Sequence, residues 1–366
     1  MAIDLLQDQQ TDGGPFDPSR HLSRTTPDLE PIATGELPAA LVDKYGRRKT
    51  YLRISVTDRC NMSCTYCVPH EGVPLFERDD LLTLDQLLRI GRIGASLGIT
   101  KIRVTGGEPT IRPGLPQFIA GLATLPGIQQ VAMTTNGLLL ARHAQALADT
   151  GLHSLNLSID SLDPARFARI TRGADLGLVL GGLDAALEAG MEVKLNTVAL
   201  ADLDLQEASV LVDFAIAKGL EVRFIEFMPL CGTGWKQDAF RPLTGLKEAL
   251  AARYPLEPLP SDGGVAQTFQ VVGTGGKVGF IASLSANFCG ACSRLRVTAT
   301  GVLRPCLFSP IGVDLRPLLL SNRSDQELIQ AFHQAVLNKP EGHGLKPEDH
   351  WAGGESVSAW IRTTGG

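Results

Sequence analysis

The chain has 366 residues, of which 44% are hydrophobic, with a mean hydropathy of +0.07 and a formal net charge of -5. This length suits one large α/β domain with an appendage, and no apolar run approaches the roughly 20 residues that cross a bilayer. The acidic balance, without a long basic stretch, argues against nucleic acid as a partner. The 7 cysteines are not arranged as in a secreted disulfide scaffold. We therefore expect a cytoplasmic protein with no membrane and no nucleic-acid partner.

Residues 1–38 form the first segment, which is rich in Asp, Gln, Pro, Ser and Thr and lacks hydrophobic periodicity. It has neither the apolar core of a signal peptide nor an Arg-rich amphipathic pattern. A segment of this composition buries too little apolar surface to fold, so a disordered extension is predicted.

Strand-like and helical stretches alternate from residue 51 onward. The predicted strands are residues 51–56, 101–105, 130–135, 154–159, 192–198 and 221–227. The predicted helices are residues 84–97, 115–125, 141–149, 177–189 and 205–218. Thr83 and Gln86 have the spacing of a capping box at the start of the first helix. A glycine follows most of the helices, where a left-handed residue is expected.

This repeated order predicts parallel strands joined by right-handed crossovers. Six such units indicate an α/β fold, an incomplete (β/α)6 barrel of the TIM type that spans residues 39–240. Residues 241–366 have a different pattern, dominated by Pro, Gly and short strand-like runs at 269–272 and 278–281. We therefore expect a C-terminal extension beside the barrel.

The predicted strands alternate polar and apolar residues, although buried parallel strands usually read as continuous apolar runs. The polar positions include Arg53, Ser55, Arg103, Thr105, Asn156, Ser158, Lys194 and Asn196. Because the apolar set must face the helices, the polar set faces the barrel interior. The alternative, an antiparallel sheet with one wet face, is disfavoured by the intervening helices. The pattern predicts a wide lumen that holds a charged ligand and opens at the carboxyl ends of the strands.

Three cysteines, Cys60, Cys64 and Cys67, lie directly after the first predicted strand, separated by three and two residues. Thiolates are soft ligands that suit iron–sulfur clusters, zinc or copper(I). A cubane cluster has four irons, so three thiolates leave one iron open to a small molecule. A zinc knuckle with its fourth ligand elsewhere is the alternative, which the asymmetric spacing disfavours.

Two strand ends carry further candidates. The second strand runs into Gly106-Gly107-Glu108-Pro109. Paired glycines let a ligand approach the backbone closely, and a carboxylate there can pair with an ammonium group, although the same residues alone would be a simple turn. Met228 follows the sixth strand, and its spacing alone indicates ordinary core.

A second trio follows in the C-terminal region, where Cys289, Cys292 and Cys306 are separated by two and thirteen residues. This spacing resembles a zinc ribbon that lacks one ligand, for which the candidates are Cys231, His333, His343 and His350. A second three-thiolate cluster is the other interpretation, favoured because two incomplete trios occur in one chain. Arg294 and Arg296 lie two apart on an extended segment, so both point the same way and suit bidentate phosphate binding.

The cysteine loop, with Tyr66 before its third cysteine, resembles the signature of the radical S-adenosylmethionine (SAM) enzymes. From about Val42 to the C-terminus, the chain further resembles the GTP 3′,8-cyclase family of molybdenum cofactor biosynthesis. The motifs that carry this resemblance are residues 55–60, 103–109, 134–137, 156–158, 223–228, 289–306 and the terminal Gly365-Gly366. The long N-terminal segment and Cys231 depart from the family pattern.

The resemblance implies SAM and two [4Fe-4S] clusters as cofactors. It assigns one cluster to Cys60, Cys64 and Cys67, the other to Cys289, Cys292 and Cys306, and SAM to Tyr66, Gly107, Ser158 and Met228. It assigns GTP to Arg53, Arg103, Thr134, Lys194, Arg294, Leu295 and Arg296. It also implies that the Gly365-Gly366 tail enters the active site and assists the chemistry.

The implied activity is that of a radical SAM lyase. A 5′-deoxyadenosyl radical abstracts hydrogen from C3′ of GTP, and the sugar radical attacks C8 to give (8S)-3′,8-cyclo-7,8-dihydroguanosine 5′-triphosphate. The implied partners are an external electron donor and cyclic pyranopterin monophosphate synthase as the downstream enzyme. The oligomeric state stays open, with a homodimer as one candidate.

Two other functions are compatible with parts of the sequence. One is a peptide-modifying radical SAM maturase with an auxiliary cluster, against which the interior cations argue because a peptide does not require them. The other is an iron–sulfur electron carrier or a zinc-stabilised binding module, which has no use for an open iron or a polar lumen.

Overall fold

The computed structural model describes residues 39–68, 72, 75–230, 239–261, 263–286, 288–309, 311–321 and 323–345. One sheet of 12 strands runs through these residues on both sides of the predicted boundary at residue 240. That boundary therefore stays a prediction about folding units and does not mark a break in the sheet. The extension predicted for residues 1–38 lies outside the described residues.

The helices and strands are numbered here in chain order within the described residues. The strands are β1 Tyr51–Ser55, β2 Lys101–Thr105, β3 Gln130–Thr135, β4 Ser154–Ser158, β5 Glu192–Ala199, β6 Glu221–Glu226, β7 Leu256–Pro258, β8 Gln267–Val271, β9 Lys277–Ile281, β10 Arg294–Val297, β11 Val302–Arg304 and β12 Val313–Asp314. The helices are α1 Leu84–Ser96, α2 Leu115–Ala123, α3 Leu140–Ala148, α4 Pro164–Thr171, α5 Leu176–Glu188, α6 Leu205–Lys218, α7 Leu243–Arg253, α8 Arg316–Leu320 and α9 Asp325–Leu337.

The strand order confirms the predicted α/β fold with an incomplete barrel. Strands β1 to β6 are neighbours in chain order and pair in parallel. The C-terminal region adds β10 in parallel to β1 and β9 in parallel to β6, so eight consecutive strands are parallel. These two pairings join residues far apart in the chain, and no local pattern predicts them.

Local signals place the five predicted helices, α1, α2, α3, α5 and α6, within one or two residues of their predicted bounds. Thr83 and Gln86 form the predicted capping box at the start of α1. Helices α4, α7, α8 and α9 were not predicted. For α4 a signal was present, because Asp163 caps its first turn and Pro164 occupies the first helical position. None of the helices in the described ranges combines the length and the apolar character that a membrane span requires.

The two faces of the parallel sheet differ as predicted. The alternating apolar side chains, among them Leu52, Ile54, Ile102, Val104, Leu155, Leu157, Val193 and Leu195, belong to one hydrophobic core. The polar alternates lie in register across the opposite face, because residues aligned on neighbouring strands share a face. This register aligns Arg53 with Arg103 and Arg296, and Asn156 with Thr134 and Lys194.

Candidate active site

The two cysteine trios lie at opposite ends of the parallel sheet. Cys60 follows the carboxyl end of β1, whereas Cys292 precedes β10, whose start is aligned with the start of β1. The backbone N–H of Thr50 donates to Ser293 O at 3.1 Å, which ties the second trio to the amino end of β1. The polar face of the sheet therefore extends between the two trios.

The first trio lies in a loop that the end of β2 holds by backbone hydrogen bonds. Gly107 N donates to Thr57 O at 2.7 Å, and Glu108 N donates to Arg59 O at 2.8 Å. A Cβ on Gly106 would lie 2.7 Å from Thr57 O, and one on Gly107 would overlap the carbonyl of Arg59. The glycine pair, interpreted from the sequence as room for a ligand, is thus required by the close approach of the cysteine loop itself.

Glu108 is buried among hydrogen-bond donors of the chain. Its carboxylate accepts from Thr110 N at 3.0 Å, Thr110 Oγ1 at 2.6 Å, Thr135 Oγ1 at 2.7 Å and Asn136 N at 2.7 Å. Burial raises the pKa of this carboxyl and outweighs the hydrogen bonds, which lower it. Four internal donors make Glu108 a brace between the ends of β2 and β3, a role that the expected pairing with an ammonium group did not anticipate.

A cavity of about 190 Å³ adjoins the first trio. Its lining includes Cys60, Cys64, Cys67 and all four residues that the sequence assigned to SAM, namely Tyr66, Gly107, Ser158 and Met228. Tyr66 Oη donates to Asp160 Oδ2 at 2.7 Å, and burial raises the pKa of Asp160 to about 6. The structure thus brings the predicted SAM residues and the first trio together around one space.

Three of the cations predicted to bind GTP lie together on the polar face of the sheet, between the ends of the strands that carry the two trios. Arg53, Arg103 and Arg296 lie in register on three neighbouring strands. Burial first, and then the charges of Arg103 and Arg294, lower the pKa of Arg53 to about 10. Burial and the charges of Arg294 and Arg53 lower the pKa of Arg296 to about 9. Cations that destabilise one another in this way form a site that favours a polyanion.

Two members of the predicted GTP set have other contacts. Leu295 is 0% exposed and belongs to the hydrophobic core, so only its main chain can face the lumen. Lys194 Nζ lies 3.3 Å from Glu192 Oε1 and 3.5 Å from Glu221 Oε2. A phosphate would compete with these two carboxylates for the lysine.

Tyr51 is a lumen residue that the sequence interpretation missed. Arg103 Nε donates to Tyr51 Oη at 2.7 Å, and Lys101 Nζ lies 5.3 Å from the ring centroid. Burial alone would raise the pKa of Tyr51, but Arg103 and Arg53 lower it to about 7. Tyr51 precedes Arg53 by two positions, so the alternation that identified Arg53 also places Tyr51 on the lumen face.

Arg223 is a second residue of the polar face to which the sequence pattern assigned no ligand. It lies in register with Asn196 of β5, and its Nε donates to Asn196 Oδ1 at 3.0 Å. Its alternation with Val222 and Phe224, both buried in the core, was the available signal.

At the second trio, charge lowers the pKa of one thiol. Burial raises the pKa of Cys292, but the charges of Arg294 and Lys339 outweigh it and bring the pKa to about 6. His343, a candidate fourth zinc ligand, has both ring nitrogens engaged: Nε2 lies 2.9 Å from Ser283 O, and Nδ1 accepts from Leu345 N at 3.0 Å.

No three His, Cys, Asp or Glu side chains of the described residues are grouped to hold a single metal ion. A cubane cluster attaches each thiolate to a different iron, so its cysteines need not approach to that extent. Of the other candidate ligands, His333 is buried in α9, whereas Cys231 and His350, like the tail residues Gly365 and Gly366, lie outside the described residues.

Buried polar atoms without partners also indicate that the lumen suits a hydrogen-bonding ligand. Thr134 Oγ1, Asn156 Oδ1 and Arg296 Nε are buried and have no hydrogen-bond partner within the part of the chain that the structure describes. Buried polar atoms are costly without partners, so a ligand that offers both donors and acceptors suits this space.

The comparisons with known proteins agree with this architecture. Residues 54–215 match the model of the Radical SAM superfamily, and residues 220–345 match Molybdenum Cofactor Synthesis C. The structure of Streptococcus suis SuiB bound to S-adenosylmethionine has a TM-score of 0.56 at 17% identity, over 77% of this chain and 68% of that one. At this identity the likeness concerns the fold alone.

Two relatives are much closer in sequence. The GTP 3′,8-cyclase of Erythrobacter litoralis is 44% identical over 84% of this chain and 93% of its own length. That of Hydrogenovibrio crunogenus is 41% identical over 85% of this chain and 96% of its own length. The chain therefore belongs to the GTP 3′,8-cyclase family of the radical SAM superfamily.

Proposed function

We propose that this protein converts GTP to (8S)-3′,8-cyclo-7,8-dihydroguanosine 5′-triphosphate, the first step of molybdenum cofactor biosynthesis. The observation that carries the proposal is the group of buried cations on the polar face of the sheet, between two cysteine trios. Members of this family use SAM and [4Fe-4S] clusters, and the relatives named above carry the cyclase name over almost their whole length.

The first trio is assigned to the cluster that binds SAM. Three thiols beside a cavity lined by Tyr66, Gly107, Ser158 and Met228 support this assignment. SAM and this cluster, when bound, supply a 5′-deoxyadenosyl radical for hydrogen abstraction. The chain's own residues exclude water and orient the reactants: Glu108 braces two strand ends, and Asp160 fixes the Tyr66 hydroxyl.

GTP is assigned to the space between this cavity and the second trio. Arg53, Arg103 and Arg296 would bind the triphosphate, because guanidinium groups form paired, charge-assisted hydrogen bonds with phosphate. The buried acceptor Asn156 Oδ1 and the hydroxyl of Thr134 are available to donors and acceptors of the nucleoside. The second cluster, held by Cys289, Cys292 and Cys306, would adjoin the guanine.

The test uses Arg296→Ala in the anaerobically reconstituted enzyme. The variant should still form 5′-deoxyadenosine from SAM but no longer couple it to cyclisation, because the substrate is no longer positioned. Arg92→Ala, at an exposed position of α1, serves as the matched control and should behave as the parent. Cyclisation by Arg296→Ala at the parent rate would remove the basis of the proposal.

A peptide-modifying maturase was the alternative from the sequence. The structure of Streptococcus suis SuiB bound to precursor peptide SuiA has a TM-score of 0.53 at 15% identity, a likeness that concerns the fold alone and does not favour this alternative. Binding of GTP without binding of peptide separates the two functions. Iron and sulfide analysis together with detection of 5′-deoxyadenosine excludes a simple electron carrier or a zinc module.

The remaining assignments belong to the same proposal. The Gly365-Gly366 tail assists the chemistry, an external donor supplies the electron, and cyclic pyranopterin monophosphate synthase takes the product in the cytoplasm. Deletion of the two glycines should lower cyclisation while SAM and GTP still bind. A homodimer would appear as a doubled mass in light scattering.

A further inference from the structure

Three buried cations contact the backbone at the three cysteines of the second trio, one at each. Arg47 Nη1 donates to Cys289 O at 2.7 Å, and Lys49 Nζ donates to Cys292 O at 2.6 Å. Lys339 Nζ donates to the carbonyl of Pro305, the residue before Cys306. Arg47, Lys49 and Lys339 are 9%, 0% and 3% exposed. We call these three residues the cation clamp.

The clamp is assembled from two distant parts of the chain. Arg47 and Lys49 precede β1, whereas Lys339 follows α9. Lys339 Nζ also donates to Arg294 O at 3.0 Å. Arg47 donates in addition to Pro340 O and Glu341 O, both at 2.6 Å, which fastens the two parts to each other.

One carboxylate, Asp43, accompanies the clamp. Its Oδ2 accepts from Arg47 Nε at 2.7 Å and from Lys49 Nζ at 2.9 Å. Burial would raise the pKa of Asp43, but the hydrogen bonds from Lys49 and Arg47 lower it to about 2, so this group is an anion. Three cations with one carboxylate leave an excess of positive charge in a buried region.

Neutral donors would suffice to hold three carbonyl groups, and burying a cation costs far more than burying a hydroxyl or an amide. The thiolates of the second trio can supply the balancing negative charge, because each cation contacts the backbone at or beside one of the three cysteines. The positions of the cations thus match a site that carries negative charge.

We propose that Arg47, Lys49 and Lys339 are positioning residues of the second cluster that also raise its reduction potential. One-electron reduction adds a negative charge to the cluster, and buried positive charge favours that more negative state. The hydrogen bonds fix the backbone at each cysteine, so geometry and potential are set by the same side chains. This inference rests on the assignment of Cys289, Cys292 and Cys306 to the second cluster.

The experiment isolates the second cluster. The full-length chain with Cys60, Cys64 and Cys67 replaced by Ala is reconstituted anaerobically, so that one cluster remains. Lys49→Met and Lys339→Met are introduced separately, with Lys49→Arg and Lys339→Arg as charge-preserving partners. Lys44→Met is the matched control, because Lys44 is an exposed lysine in the same segment. The midpoint potential is measured by redox titration with electron paramagnetic resonance detection.

Each Lys→Met variant should disfavour reduction at least tenfold, a shift of about 59 mV to more negative potential for one electron. The Arg variants and Lys44→Met should stay near the parent value. Parent potentials in loaded Lys49→Met and Lys339→Met proteins would overturn the inference.

Two further results are informative. If a Lys→Met protein folds by circular dichroism but holds no iron, while its Arg counterpart holds about four irons per chain, the charge is needed to assemble the cluster and the positioning role is supported. If the background protein without these substitutions binds no iron, the cysteine assignment itself fails, and the fault lies in the proposed function.

Discussion

The two ends of the parallel sheet each carry three cysteines, but in opposite electrostatic surroundings. At the carboxyl end, burial and the charge of Asp160 raise the pKa of Cys64 well above its usual range. At the amino end, Arg294 and Lys339 outweigh burial and lower the pKa of Cys292 to about 6. Burial raises the pKa of Cys289, also at the amino end. The contrast is therefore sharpest between Cys64 and Cys292.

The contrast matches the charges of the two small molecules that the family uses. SAM has a positively charged sulfonium, and the polar groups around the first trio are mainly carboxyl, hydroxyl and amide groups, such as Glu108, Asp160 and Asn136. GTP is a polyanion, and arginines and lysines surround the second trio. Both sites offer three cysteine thiols, so the thiols alone do not distinguish them. The charges of the surrounding side chains do.

Loss of one cysteine at each end should give the largest and most different effects. Cys64→Ala should abolish formation of 5′-deoxyadenosine, whereas Cys292→Ala should retain it but lower cyclisation by roughly a thousandfold or more, because the substrate loses its position. Both products are measured by liquid chromatography. Arg92→Ala, at an exposed position of α1, is the control. Equal loss of 5′-deoxyadenosine in both variants would contradict the division between the ends.

A smaller effect is expected from Arg53→Met. The variant removes a half-buried cation from the lumen, so GTP should bind roughly 10–100-fold more weakly, the usual range for a charge-assisted hydrogen bond. SAM affinity should not change. Titration calorimetry of both ligands, with Arg92→Met as the control, measures this. If SAM affinity fell and GTP affinity did not, the charge comparison would be wrong.

The pH profiles of thiol alkylation test the same comparison in metal-free protein. Only the thiolate reacts, so Cys292 should reach half of its maximal rate near pH 6 and Cys64 only above pH 9. Mass spectrometry after iodoacetamide pulses gives both profiles from one sample. Arg294→Met should move the Cys292 midpoint upward. The solvent access of a thiol changes its maximal alkylation rate but not the pH at which half of that rate is reached. The same midpoint pH for Cys64 and Cys292 would therefore refute the contrast between their pKa values.

The smallest expected effect concerns Tyr51, whose pKa the lumen cations lower to about 7. The folded state favours the ionised phenol, so the stability it contributes is fully present above about pH 10 and is lost as pH falls through 7. The difference in unfolding free energy between parent and Tyr51→Phe should thus grow from pH 7 to pH 10. Urea unfolding at several pH values measures it. A constant difference would show that the cations do not act on Tyr51.

Much of the candidate site was predictable because its signals are local. Alternation along single strands placed Arg53, Arg103 and Asn156 on one face, and spacing identified both trios. The role of Glu108 was not predictable, because its donors Thr135 and Asn136 come from the next strand. Leu295 was predicted to bind GTP because it lies between Arg294 and Arg296 in the motif, but its side chain lies in the core.

The sequence by itself determined the strand–helix order, the helix caps and the alternation that makes one face of the sheet polar, because each depends on residues a few positions apart. Tertiary structure alone decided that β10 and β9 extend the parallel sheet, and that Arg47, Lys49 and Lys339 meet at one trio. These contacts join residues at least 34 positions apart, where no periodicity connects the partners. Their energies come from hydrogen bonds and charges that exist only after the chain has folded.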